Sequence, residues 1–161
     1  ENTVGALMAD ALPAIGWREW VSLPEIGIPH IKAKIDTGAR TSALHAFSVE
    51  RFRRDQQDWL RFGVHPLQKD RETEIWCEAR MIDEREVADS GGHREMRPVI
   101  LSPLHMGEFS WPVELTLTSR DTMLFRMLIG RTALRGRLSV DSGASFTLGG
   151  DKKSPPQNTS K

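Results

Sequence analysis

The stretch of this sequence best suited to chemistry is Asp36-Thr37-Gly38-Ala39. A carboxylate can pass a proton to or from a water or a carbonyl oxygen, and it does so usefully only when held at a fixed point. Its neighbours supply the means. Residues 31–35 alternate Ile31, Ala33 and Ile35 with Lys32 and Lys34, the period-two pattern of a half-buried strand, and the pattern stops at Asp36. Gly38 tolerates backbone conformations that a Cβ would resist, and the Thr37 and Thr41 hydroxyls can bond nearby backbone groups and brace a turn. Asp, Thr and Gly are also ordinary turn residues, so a plain turn is the competing reading of the tripeptide alone.

The rest of the chain must form a body that positions this turn. With 161 residues there is material for one core. Apolar residues make up 39% and charged residues 27%, as in ordinary globular domains. Twenty-two basic residues balance 22 acidic ones, so no global charge points to nucleic acid or an anionic membrane, and neither is expected as a partner. Arg51, Arg53 and Arg54, followed by Asp55 and Asp58, read as a solvated face. The single cysteine, Cys77, excludes an internal disulfide and reads as a small buried hydrophobe. No apolar run has bilayer-spanning length. The chain opens on Glu1, so a native start with any targeting segment is expected upstream; a cytoplasmic location is favoured and a periplasmic one stays open.

Residues 1–14 are expected to be a leader, 15–150 the folded domain, and 151–161, with Pro155-Pro156, a disordered tail. Residues 15–23 alternate around Trp17, Trp20 and Val21 and lead through turn signals into the Asp36 strand. Residues 43–52 read as one strand containing His45, for which a structural role competes with a place near the acidic turn. Apolar runs at 74–82 and 96–104 read as two arms of a hairpin whose tip is 89–93. Residues 109–118 form the clearest amphipathic strand, and 124–129 reads as a strand buried on both faces. One helical turn is expected over 131–135, and residues 138–140 and 146–148 are expected to close the fold. Many short strands and few helical periods predict an all-β barrel.

An apolar strand running into Asp36-Thr37-Gly38-Ala39 and then Thr41-Ser42-Ala43 resembles the active-site motif of retropepsin-type aspartic peptidases. Ile129-Gly130, an apolar residue and glycine well downstream, resembles the segment that supports the active-site loop in those enzymes. Ile15-Gly16-Trp17-Arg18-Glu19-Trp20-Val21, Arg97-Pro98-Val99-Ile100, Trp111-Pro112-Val113-Glu114-Leu115-Thr116-Leu117 and Met127-Leu128-Ile129-Gly130-Arg131 extend the likeness to a bacterial family. Its members are labelled ATP-dependent zinc proteases and occur alone or associated with ATP-grasp glutamate ligases. The resemblance covers residues 15–149 and implies a closed retropepsin-like barrel. The label's zinc finds no His-Glu-x-x-His, the five histidines are scattered, and no Gly-rich phosphate cradle precedes a Lys-Ser or Lys-Thr pair. No metal and no cofactor is therefore expected.

Aspartic peptidases need two carboxylates sharing a proton, one activating water and one polarising the scissile carbonyl. The resemblance implies that Asp36 meets its copy across the two-fold axis of a homodimer. An internal partner is the alternative, because Val140-Asp141-Ser142-Gly143-Ala144 echoes Ile35-Asp36-Thr37-Gly38-Ala39; it would require a second apolar-Gly support after Asp141, where only polar sequence remains. Arg40 and Arg131 follow the two segments expected to meet at the site, and Arg97 follows the hairpin tip. Guanidinium forks bind carboxylates in two-pronged fashion, so acidic, glutamate-rich peptides are the expected substrates, with structural ion pairs as the competing role. A catalytically silent peptide-binding domain on the same barrel is the second functional reading.

Overall fold

A computed structural model describes residues 11–88, 91–119 and 124–149. Residues 1–10 of the expected leader, the 151–161 tail and tip residues 89 and 90 lie outside that range. The strands are β1 (Ala14–Gly16), β2 (Arg18–Leu23), β3 (Ile28–Asp36), β4 (Ser42–His45), β5 (Ser48–Arg54), β6 (Gln57–Val64), β7 (Ile75–Arg80), β8 (Asp83–Ala88), β9 (Arg94–Met106), β10 (Phe109–Thr118), β11 (Met127–Gly130) and β12 (Ser139–Asp141). A single turn of α-helix, α1 (Arg131–Leu134), follows β11 directly.

Six strands close on themselves in the order β10-β4-β11-β3-β2-β9, with β9 pairing back to β10, so the all-β barrel is present. Alternation explains its interior. Ile31, Ala33 and Ile35 of β3, Met127 and Ile129 of β11, and Leu115 and Leu117 of β10 all point into one core. Of the intervening residues, Ala43 and Leu128 line the cleft at the acidic turn and Lys34 is exposed. A second sheet, β5-β6-β7, adds Leu60, Phe62, Val64, Cys77 and Ala79 to that core. Burial there pushes the Cys77 thiol up to about 12.

Several elements depart from the sequence-based expectation. The run at 74–82 is not an arm of the hairpin: β7 pairs with β6, and the hairpin is β8 with β9, registered Ala88 to Arg94 and Asp83 to Val99. Cys77 and Ala79 direct β7 to the apolar face of β6, and Met81 and Ile82 then carry the chain across to β9. Residues 43–52 split at Ala46-Phe47 into β4 in the barrel and β5 in the second sheet. Strand β11 starts only at Met127, and Leu124 is 58% exposed. Residues 146–148 form a turn rather than a strand, with Phe146 at φ 53°. That turn is fastened by Glu19, which is fully buried and accepts hydrogen bonds from the Gly16 amide (2.7 Å), the Thr147 amide (3.0 Å) and hydroxyl (2.8 Å), and the Leu148 amide (3.3 Å).

Candidate active site

Strand β3 ends at Asp36 with β11 beside it in parallel, Gly130 opposite Asp36 and Ile129 opposite Ile35. The Asp36 carboxylate accepts the Gly38 amide at 3.1 Å, and its carbonyl accepts the Ala39 amide at 3.1 Å, closing the turn. The Arg131 and Thr132 amides donate to the carbonyls of Ala39 (2.8 Å) and Arg40 (3.2 Å). The Ser42 hydroxyl accepts the Gly130 amide at 3.0 Å, and the Thr132 hydroxyl donates to the Arg40 carbonyl at 2.7 Å. Among the described residues bracing therefore comes from Asp36 itself, Ser42 and Thr132, rather than from the hydroxyls of Thr37 and Thr41. Gly38 has no left-handed φ; a Cβ there would stand 3.3 Å from the Asp36 carboxylate, so glycine leaves room beside the acid. At Gly130 a Cβ would lie 2.7 Å from the Thr41 carbonyl, which makes this approach of strand to loop available to glycine alone.

The turn opens on a cleft of about 1250 Å³. Its walls include Asp36, Gly38, Ala39, Arg40 and Thr41 from the turn, Arg131 from α1, and Arg85, Arg97 and Glu114 from the hairpin and β10. Arg131 donates to the Gly38 carbonyl at 3.2 Å. Arg97 is nearly buried and holds Glu95 at 2.6 Å, so the competing role of a structural ion pair is real for that residue. Arg40 forms no ion pair among the described residues. Thr37 and His45 do not line the cleft, and His45 is buried in β4. Sequence reasoning missed Arg85, although it could have been found by counting outward from the hairpin tip, since Arg85 and Arg97 stand equally far from residue 91. Among the described residues no three His, Cys, Asp or Glu side chains cluster as metal ligands.

The echo at Asp141 is structural as well as sequential. The Asp141 carboxylate accepts the Gly143 amide at 2.9 Å and its carbonyl accepts the Ala144 amide at 3.1 Å. Strand β1 lies parallel to β12 with Gly16 opposite Asp141, and the Trp17 amide donates to the Ala144 carbonyl at 2.8 Å, as Arg131 does to Ala39. A Cβ on Gly16 would lie 2.4 Å from the Ala144 carbonyl oxygen. The apolar-Gly support for Asp141 thus exists, supplied by Ile15-Gly16 from the start of the domain rather than from sequence after Asp141. Asp141 does not line the cleft.

A family model described as "Retropepsin-like aspartic endopeptidase RimB" matches residues 14–149. Two curated relatives carry the name "Probable alpha-L-glutamate ligase". One, from Parasynechococcus marenigrum, is 50% identical over 135 residues, and one from Desulfotalea psychrophila is 47% identical over 135 residues. Each match takes in 84% of this chain and 29% of the relative, so the chain spans about three tenths of those proteins. The crystal structure of Lpg0085 from Legionella pneumophila, of unknown function (DUF785), superposes with a TM-score of 0.70 at 24% identity, covering 86% of this chain and 99% of that one, and shares the fold. The barrel, the glycine-supported Asp-Thr-Gly turn at its cleft and the match along nearly the whole domain lead to one conclusion: the chain belongs to the RimB-like family of retropepsin-like aspartic endopeptidases.

Proposed function

We propose that this protein is an aspartic peptidase in which Asp36 supplies one of two catalytic carboxylates and water is the nucleophile. The observation that carries this reading is the Asp36 carboxylate, fixed by the Gly38 amide, in the wall of a cleft of about 1250 Å³. Each partner carboxylate would take one role: the ionised one removes a proton from water as it attacks the scissile carbonyl, and the protonated one donates to the carbonyl oxygen. The second carboxylate is Asp36 of another copy across a two-fold axis, which would close the open side of the cleft. Arg40 and Arg131 beside Asp36 favour acidic peptides, and Arg97 extends that preference under the hairpin. The relatives named alpha-L-glutamate ligase support a glutamate ligase pathway as the proposed partner.

The duplicated turn favours a second reading, in which Asp141 of the same chain is the partner acid. Cleavage of a glutamate-rich peptide by wild type, Asp36→Asn and Asp141→Asn, with chelator present, separates the readings. In the dimer, Asp36→Asn loses about 10²–10⁴-fold in rate, Asp141→Asn keeps its rate, and specific activity falls on dilution. In the internal pair both variants lose the rate and dilution has no effect. Failure of wild type to cleave any peptide leaves the binding-domain reading.

A further inference from the structure

The hairpin of β8 and β9 places Arg85 directly opposite Arg97. Opposed residues on an antiparallel pair have their Cβ atoms about 5 Å apart, and like charges so placed destabilise the ladder. Both arginines face the cleft. Each is held by carboxylates of the protein itself. Arg85 donates through Nε to Asp83 (2.7 Å) and through Nη1 to Glu114 (2.7 Å) on β10. Arg97 donates through Nε to Glu95 (2.6 Å), whose same oxygen accepts the Thr118 hydroxyl at 3.2 Å. Nη2 of Arg85 and both Nη groups of Arg97 have no acceptor among the described residues. Both guanidinium groups are thus anchored by the protein's own carboxylates and leave Nη donors in the walls of the same cleft as Asp36.

We infer that Arg85 and Arg97 form a clamp for one side-chain carboxylate of the peptide, and that Glu114 competes with that carboxylate for Arg85. The inference rests on the acidic-peptide reading above and names residues that decide it. A substrate carboxylate entering between the forks would turn an unfavourable pair of like charges into a bridged site, taking the free donors of both. Glu114 keeps Arg85 extended toward β10 when the cleft is empty and opposes an incoming carboxylate by charge. Its contact with Arg85 is a side-chain link from the hairpin to β10, as is the bond from the Thr118 hydroxyl to Glu95. Hydrogen bonds from a charged donor to a charged acceptor are among the stronger ones, which sets the size of the expected effect.

The test measures binding by titration calorimetry in the non-cleaving Asp36→Asn chain. The probes are a capped peptide with four consecutive glutamates and its all-glutamine counterpart. Arg85→Gln is expected to raise Kd for the glutamate peptide by about 10- to 100-fold and to leave the glutamine peptide within two-fold, roughly, of its own value. Arg85→Lys, which keeps charge without the fork, recovers part of the loss. Glu114→Gln tightens the glutamate peptide by about three- to ten-fold, and the gain vanishes when Arg85 is also replaced. A merely structural Arg85 would weaken both peptides together, and that result, or no change in either, overturns the clamp. If wild type cleaves neither peptide while binding of the glutamate peptide still depends on Arg85, the clamp stands and the peptidase reading falls.

Discussion

Replacing Gly130 by alanine tests whether the acidic turn is held in place by close approach of β11. A Cβ there would stand 2.7 Å from the carbonyl carbon and oxygen of Thr41 and 2.9 Å from the Ala39 carbonyl oxygen. Carbon contacts settle at about 3.5–4.0 Å, so strand and loop must part by roughly 0.7 Å or more. All three atoms are backbone and cannot rotate aside. Overpacking of this kind costs about 1–3 kcal/mol. The bonds from Arg131 to Ala39 and from Thr132 to Arg40 cross the same contact and would weaken with it. Adding about 1 kcal/mol for that weakening gives a total of about 2–4 kcal/mol. A shift near 1 Å in a catalytic group lowers rate by about 10²-fold, so peptide cleavage should fall further than stability alone explains. Gly143→Ala is the control, because its Cβ would meet only the Asp141 carboxylate at an ordinary 3.5 Å. Urea denaturation gives stability and single-turnover cleavage gives rate. Stability of Gly130→Ala within about 0.5 kcal/mol of wild type, or equal to that of Gly143→Ala, would refute the argument.

Glu19→Ala leaves three amides and a hydroxyl without their acceptor and should cost about 3–5 kcal/mol, with Glu19→Gln intermediate; urea midpoints and faster exchange of the Thr147 and Leu148 amides report it. Cys77 should resist thiol reagents in the native protein at pH 8 and react at once in urea. Its folded pKa is raised from 9.0 to about 12, so the stability it contributes is complete below pH 9.0 and is lost as pH rises toward 12. Rapid native labelling would contradict that burial. The hydrogen bond from Arg85, with a second from the Glu84 amide, holds Asp83 below the ordinary 3.8. Its contribution is therefore present above pH 3.8 and lost as pH falls through the lower folded value, and amide exchange along β8 should speed up there in wild type but not in Asp83→Asn.

Much of the barrel is legible because a period of two assigns side chains to faces without knowledge of the partner strand. Residues 31–36 and 109–118 show it: their apolar positions enter the core where alternation puts them, and Asp36 falls at the strand end. The resemblance carried by residues 36–43 and 129–130 reaches the acidic turn for the same reason, since both segments are short and continuous. Alternation does not say which strand lies alongside. Strand β7 therefore looked like a hairpin arm, and its true partner is fixed only by the fit of Cys77 and Ala79 against β6. Nothing local in the sequence marks Glu19 for burial; it is a buried acceptor because residues 147 and 148, distant in sequence, bring it donors. The support for Asp141 was sought downstream, whereas parallel pairing of β1 with β12 brings Gly16 from the other end of the domain. Sequence alone determined the faces of strands such as β3 and β10 and the position of Asp36 at a strand end. Tertiary structure decided the pairings between remote segments, because those depend on shape and on satisfying buried polar groups across the closed barrel, which no local pattern encodes.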